Sequence, residues 1–251
     1  MNQSVSDILK ALEESSFEKA EATCLLYVET CKKRFLEELS VNSATDFLGS
    51  VLLLTRIHAS EKKPWKSFLQ MNETWGAMRF LEDYIKDREV LAQTYLALAE
   101  AYAYANFFPE AVICYRKHAT LSADEALCRE SWISSFFYSF RLDSTERLKT
   151  KKQSIEFLGE TVSKQFETIA KEEFSKQLKF DPLEAEECYL KIRYELEKEI
   201  DRQMSEEVPL NANVPFCVRY WKTKKSVLKK KYGLDWKSPM DCNPSVSFGQ
   251  N

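Results

Sequence analysis

Apolar residues recur at intervals of three and four along almost the whole of residues 4–206, the spacing that places them on one side of an α-helix. No stretch alternates apolar and polar residues as a half-buried strand does, and only 5 glycines and 7 prolines occur in 251 residues. A chain with that period and so few turn-formers has little choice but to fold as helices packed on helices. With 44% hydrophobic and 30% charged residues it has enough apolar surface to bury a core. No run of 18 apolar residues is present, and the N-terminus lacks a basic segment followed by an apolar one. The expectation is therefore a cytoplasmic, non-membrane, all-α protein.

The breakers divide that pattern into about nine helices. Expected ranges are about 4–14, 17–38, 43–60, 65–86, 89–105, 108–121, 124–141, 145–179 and 182–206. Short loops make neighbours antiparallel. At "DPLE", Asp181 reads as an N-cap, Pro182 as the first helical residue and Glu184 as the side chain reaching back to the cap. Ile155, Leu158, Val162, Phe166 and Ile169 form one stripe, and Tyr189, Ile192, Leu196 and Ile200 form another. The two predict a long charged hairpin. Three segments result: a helical stack over 1–143, the hairpin over 144–208, and a tail over 209–251.

The tail differs in composition. Residues 1–208 carry 28 Lys and Arg against 37 Asp and Glu, whereas residues 209–251 carry 8 against 2 and hold four of the prolines. One helix is expected within it, over about 218–232, with Val218, Trp221, Lys225 and Leu228 on a shared side. Trp221 and Leu228 would then pack on the body while the lysines fan outward. The acidic stretch 181–207, with ten acidic and four basic residues, is the expected seat.

The stretch "TYLALAEAYAYANFFPEAVICYRKHATL" is the most ordered in the chain. Tyr95, Leu98, Ala99 and Tyr102, then Phe108, Ala111 and Tyr115, alternate large and small residues as two closely crossing helices require. These residues resemble a tetratricopeptide repeat (TPR), whose 34-residue unit has this order. "SFEKAEATCLLY" resembles the later half of another unit through Phe17, Ala20, Cys24 and Tyr27. The likeness covers about 60 of the 251 residues, and His118 and Ala123 depart from it where Ala and Pro are usual. It implies a degenerate TPR-like antiparallel helical stack. A weaker resemblance, to 14-3-3 proteins, runs through "SFEKAEATC", "LSVNSATDFLGSV", "KKPWKSF", "TYLALAEAY" and "ISSFFYSFRLDSTER" in order. That family's phosphate-gripping Arg-Tyr pair would fall near Tyr104 and Ala105, and its groove Asn near Trp132, so the phosphoserine pocket would be missing.

The TPR resemblance implies a peptide-binding face on the first helix of the pair, formed by Gln93, Leu96, Glu100, Ala103 and Tyr104. No Lys or Asn stands there to hold a terminal carboxylate, and Glu100 repels one. The implied ligand is a basic or apolar protein segment. In the tail, Arg219, Trp221, Lys225, Lys229, Lys230 and Trp236 are candidate contacts, either for a protein partner or for nucleic acid, through phosphate neutralisation and base stacking.

Little points to catalysis. His58 and His118 are the only histidines, there is no HExxH or G-x-S-x-G, and the glycines stand singly. The seven cysteines, Cys24, Cys31, Cys114, Cys128, Cys188, Cys217 and Cys242, form no CxxC pair. The reading is a non-enzymatic adaptor or scaffold without cofactor or metal. Its oligomeric state is left open.

Overall fold

A computed structural model describes residues 3–14, 16–60, 64–142, 144–206 and 214–248. Among them are twelve α-helices, two short 3-10 turns and no strand. In chain order these are α1 (Gln3–Glu13), α2 (Phe17–Glu38), α3 (Val41–Ser60), a 3-10 turn at Pro64–Ser67, α4 (Phe68–Tyr84), α5 (Arg88–Tyr104) and α6 (Phe108–Leu121). Then come α7 (Glu125–Ser139), α8 (Ser144–Leu158), α9 (Glu160–Lys176), a 3-10 turn at Pro182–Ala185, α10 (Glu187–Glu206), α11 (Phe216–Tyr232) and α12 (Pro239–Cys242). The expected break at Asp143 and the first residues of the tail, 209–213, lie outside the described residues.

The chain forms two compact units. One comprises residues 1–142 and 146–164, the other 143–145 and 165–251. In the first, successive helices pack as a stack: α1 on α2, α2 on α3, α3 on α4, then α5 on α6 and α6 on α7, with α3 also reaching α5. Alanines mark the close approaches. Ala20, Ala44, Ala77, Ala92, Ala99 and Ala111 are all fully buried, letting backbones come together between larger side chains such as Phe47, Tyr95, Leu98 and Tyr102. Each of those large groups contributes about 1.5–3 kcal/mol relative to exposure.

Helix ends follow local chemistry. Asp87 starts α5 by accepting from the backbone N–H groups of Glu89 and Val90, and Asp124 starts α7 through those of Ala126 and Leu127. The α5–α6 turn places Asn106 in the left-handed region, at φ 63°, which an Asn tolerates. Pro109 sits in the first turn of α6, where its missing N–H is no loss.

The expected helix over 145–179 is broken. Gly159, at φ 82°, separates α8 from α9, a backbone conformation that a side chain would strain. The expected helix over 182–206 also differs: residues 182–185 form a 3-10 turn and α10 begins at Glu187. The larger correction concerns the stripe on α10. Tyr189, Leu196 and Ile200 pack with Val227, Leu228 and Trp236 from the tail, rather than forming a hairpin core with the preceding stripe. The segments drawn as 144–208 and 209–251 thus share a core, and α10 belongs with α11.

The second unit closes around that core. Helix α11 ends at Gly233, whose φ of 69° permits the bond from Leu234 N–H back to the Leu228 carbonyl. The chain then returns to the loop before α10. Asp181 accepts from the backbone N–H of Lys237, and the Asn243 side chain both donates to the Lys179 carbonyl and accepts from the Lys179 N–H. A capping box between Ser238 and Asp241 starts α12.

Candidate functional site

Three places in the structure concentrate chemistry: the outward face of α5 and a cluster around His58 in the first unit, and a buried ionic centre beneath the tail in the second.

The face of α5 is set by the same period that builds the core. With Tyr95, Leu98, Ala99 and Tyr102 turned inward, the residues between them are left outward. Gln93 and Glu100 are exposed, Leu96 and Ala103 are half-buried, and Tyr104 stands 64% exposed. Val90 extends the apolar strip toward the start of the helix. Gln93 donates to Glu89 at 2.9 Å, and Glu89 also accepts from Ser122 and from the backbone N–H of Ala123. The hydrogen bond from Gln93, aided by that of Ala123, holds the Glu89 carboxyl below its ordinary range. The face therefore offers apolar side chains and two carboxylates, Glu89 and Glu100, on a rigid helix.

Its rigidity comes from inside. Tyr102 donates from its hydroxyl to the Met71 carbonyl at 2.9 Å, and Tyr95 donates to Glu82 at 2.7 Å. Lys117 binds the same Glu82 oxygen at 2.8 Å, tying α4, α5 and α6 together. The aromatic positions of the repeat-like pattern act here as hydrogen-bonded anchors as well as apolar mass.

In the second unit the tail aims one lysine inward. Lys224 is buried, with its Nζ 2.9 Å from Glu184 Oε1 and over the rings of Trp236, Tyr189 and Tyr220 at 4.7, 5.2 and 6.0 Å. The Trp236 indole N–H donates to the same Glu184 oxygen at 2.9 Å. Tyr220 donates to Glu197 at 2.7 Å. Burial opposes the charge on Lys224, but Tyr189, Glu184, Tyr220 and Glu197 together more than offset it, and its pKa stands well above the ordinary lysine value. Burial likewise pushes up the carboxyl of Glu197 and the phenol of Tyr220. An ammonium enclosed by rings and a carboxylate is a tie: it fixes the tail to the loop before α10.

The tail residues singled out in the sequence are distributed differently. Trp236 is buried, and Trp221 is half-buried, edge-on to Phe248 at 5.1 Å, so the Trp236 ring cannot stack on a base in this arrangement. Lys225 pairs with Asp241 at 2.9 Å and Lys229 with Asp235 at 2.6 Å, both at the surface. Lys230 is exposed and Arg219 half-buried. The buried side of α11 is Thr223, Lys224, Val227 and Leu228, one residue out of phase with the expected side, and Lys225 is turned to solvent. Glu184 does not cap its own turn, since it is engaged by Lys224 and Trp236.

A third cluster has the composition of a nucleophile relay. His58 Nδ1 lies 2.7 Å from Ser67 Oγ, its Nε2 lies 3.1 Å from Glu21, and Lys66 pairs with that carboxylate at 2.8 Å. Ser67 and His58 are both buried, so the cluster acts as a hydrogen-bonded brace between α2, α3 and the 3-10 turn. Four of the seven cysteines are buried, and burial raises the Cys24 thiol to about 12, far from a reactive thiolate. Among the described residues no group of three or more His, Cys, Asp or Glu side chains is placed to hold a metal ion, and no helix is long and apolar enough to cross a membrane.

The fold and these sites define an all-α helical stack with a second helical unit. Comparisons with protein-family models, with curated proteins and with solved structures find no match.

Proposed function

We propose that this chain is a non-enzymatic scaffold, a TPR-like stack that holds a protein or peptide segment of basic or apolar character along α5. The observation that supports this reading is the row Gln93, Leu96, Glu100, Ala103 and Tyr104, in which a 64% exposed tyrosine stands beside half-buried apolar groups and a carboxylate. An aromatic ring displayed on a helix whose other face is locked into the core binds with little ordering cost. Glu89 and Glu100 favour a basic ligand and disfavour a carboxylate-terminated one. The tail is read as part of the scaffold, since Trp236 is buried in the second unit and Tyr220, Trp221 and Tyr232 pack against the same core.

The test is capture from the native cell by wild type, Tyr104→Ala and Glu100→Lys, each shown to melt as wild type does. The reading expects one set of partners to be lost from both variants together. Retention of every partner by both variants would remove α5 as the binding face.

A further inference from the structure

Helix α11 carries charge on its outward side that the chain does not neutralise. With Thr223, Lys224, Val227 and Leu228 turned inward, the helical period sets Arg219, Lys222, Ser226 and Lys230 in one outward strip. Lys222 and Lys230 are exposed, and Arg219 and Ser226 are half-buried. The flanking Lys225 and Lys229 are already taken, by Asp241 at 2.9 Å and Asp235 at 2.6 Å. Arg219, Lys222 and Lys230 have no carboxylate partner among the described residues, and the covered Nε of Arg219 has no acceptor there either.

Helix stability does not account for the strip. The first turn of α11 has no carboxylate and ends at Arg219, a cation where the helix dipole favours an anion. Lys222 and Lys225, and Lys225 and Lys229, stand three and four residues apart, a spacing at which like charges repel. Such a row is stabilised by an anion brought from outside.

The make-up of the strip states which anion fits. No large apolar side chain stands within it, and the nearby rings are engaged elsewhere: Trp236 is buried and Trp221 packs on Phe248. A protein interface centres on aromatic and apolar anchors and is poor in lysine, and a helix that binds a membrane buries an apolar face beside its basic one. Neither feature is present on the strip. From Arg219 to Lys230 it runs about 16 Å, over which one nucleic-acid strand presents about five phosphates. Cations and a hydroxyl without an anchor suit a ligand held by its backbone charge.

We infer that this strip of α11 is a nucleic-acid surface, holding a single strand by its phosphates without reading its bases. The inference is separate from the binding role of α5.

Fluorescence anisotropy of the full chain with a labelled single-stranded oligonucleotide of about 20 bases, at about 50 mM salt and above, tests it. Two unrelated sequences should bind alike, and log affinity should fall with log salt at a slope of about −2, as three phosphate contacts require. Lys222→Glu with Lys230→Glu should lower affinity by about tenfold or more, and Lys222→Ala and Lys230→Ala singly should each flatten the slope by about 0.7. Lys33→Glu with Lys191→Glu, an equal change of net charge at exposed lysines of α2 and α10, should bind as wild type does. Each variant is first shown by circular dichroism to keep wild-type helicity. An acidic peptide of alternating Glu and Ser, and phosphatidylserine vesicles, should bind about tenfold more weakly than the oligonucleotide or worse. No oligonucleotide binding at low salt overturns the inference. So does an equal loss in the Lys33 and Lys191 variant, or equally tight binding of the peptide or the vesicles.

Discussion

The caged lysine carries the sharpest energetic consequence. Lys224→Met keeps the length of the stem and removes the ammonium, which lies 2.9 Å from Glu184 and within 6.0 Å of three rings. A hydrogen bond to a charged group is worth about 1.5–3 kcal/mol, and leaving one member of a buried pair alone costs about 3–5 kcal/mol. Glu184 keeps its bond from the Trp236 indole and retains some contact with solvent, and Met refills the apolar stem, so the expected loss is about 2–4 kcal/mol. Amide hydrogen exchange reads this directly: protection of α10 and α11 together should fall about 30-fold to 1,000-fold. Glu184→Gln should also destabilise, and the double variant should cost less than the sum of the two by about 1–3 kcal/mol. Lys229→Met, at an exposed pair, should stay within about 0.5 kcal/mol of wild type. Unchanged exchange in Lys224→Met, or strict additivity in the double variant, would refute the role given to this lysine.

Other outcomes follow from the same packing. Ala99→Leu and Ala111→Leu, each at a fully buried crossing of α5 and α6, should overpack the pair and cost about 1–3 kcal/mol in urea denaturation; unchanged midpoints for both would contradict the crossing. His118 is fully buried, and burial lowers its pKa against the opposing pull of Glu89, Asp124 and Glu100. The unfolded chain then binds the proton more tightly, so this contribution to stability is whole above about pH 6.5 and declines as pH falls below it. His118→Gln should flatten the loss of melting temperature on acidification, and an equally steep loss in the variant would place the effect elsewhere. All seven cysteines are free, so a reductant should leave the melting temperature unchanged. A thiol reagent should label exposed Cys188 in the native state and Cys24 and Cys114 only after unfolding.

Helices were legible in the sequence because their signal is a repeat of period three and four, which survives without knowledge of what covers each face. The Ala99 and Ala111 pattern belongs to the same class, as does the Asp181 cap. What sequence pattern left out is long-range and depends on phase. In "KTKKSVLKKK" each lysine looks like its neighbours, yet Lys224 falls on the side of Val227 and Leu228 while Lys225, one residue on, faces water. Tyr220, one turn before Lys224, was the available signal for that phase. Glu184 read as a local capping residue because its partners, Lys224 and Trp236, lie about 40 and 52 positions away. The stripe on α10 was assigned to its predecessor in the chain, as neighbouring elements usually pair. The tail competes successfully for it because it brings Val227, Leu228 and Trp236. Gly159 gave no warning, since a single glycine within a helical pattern is tolerated at a cost of about 1 kcal/mol.

On the proposed reading α5 presents the surface on which a partner is held. Placing a photo-crosslinking residue at position 93 or 104, and as a control at Glu37, exposed on α2, tests it by contact in the native cell. Positions 93 and 104 should capture the same partner, and position 37 should not. Equal capture from position 37, or none from 93 and 104, would contradict it.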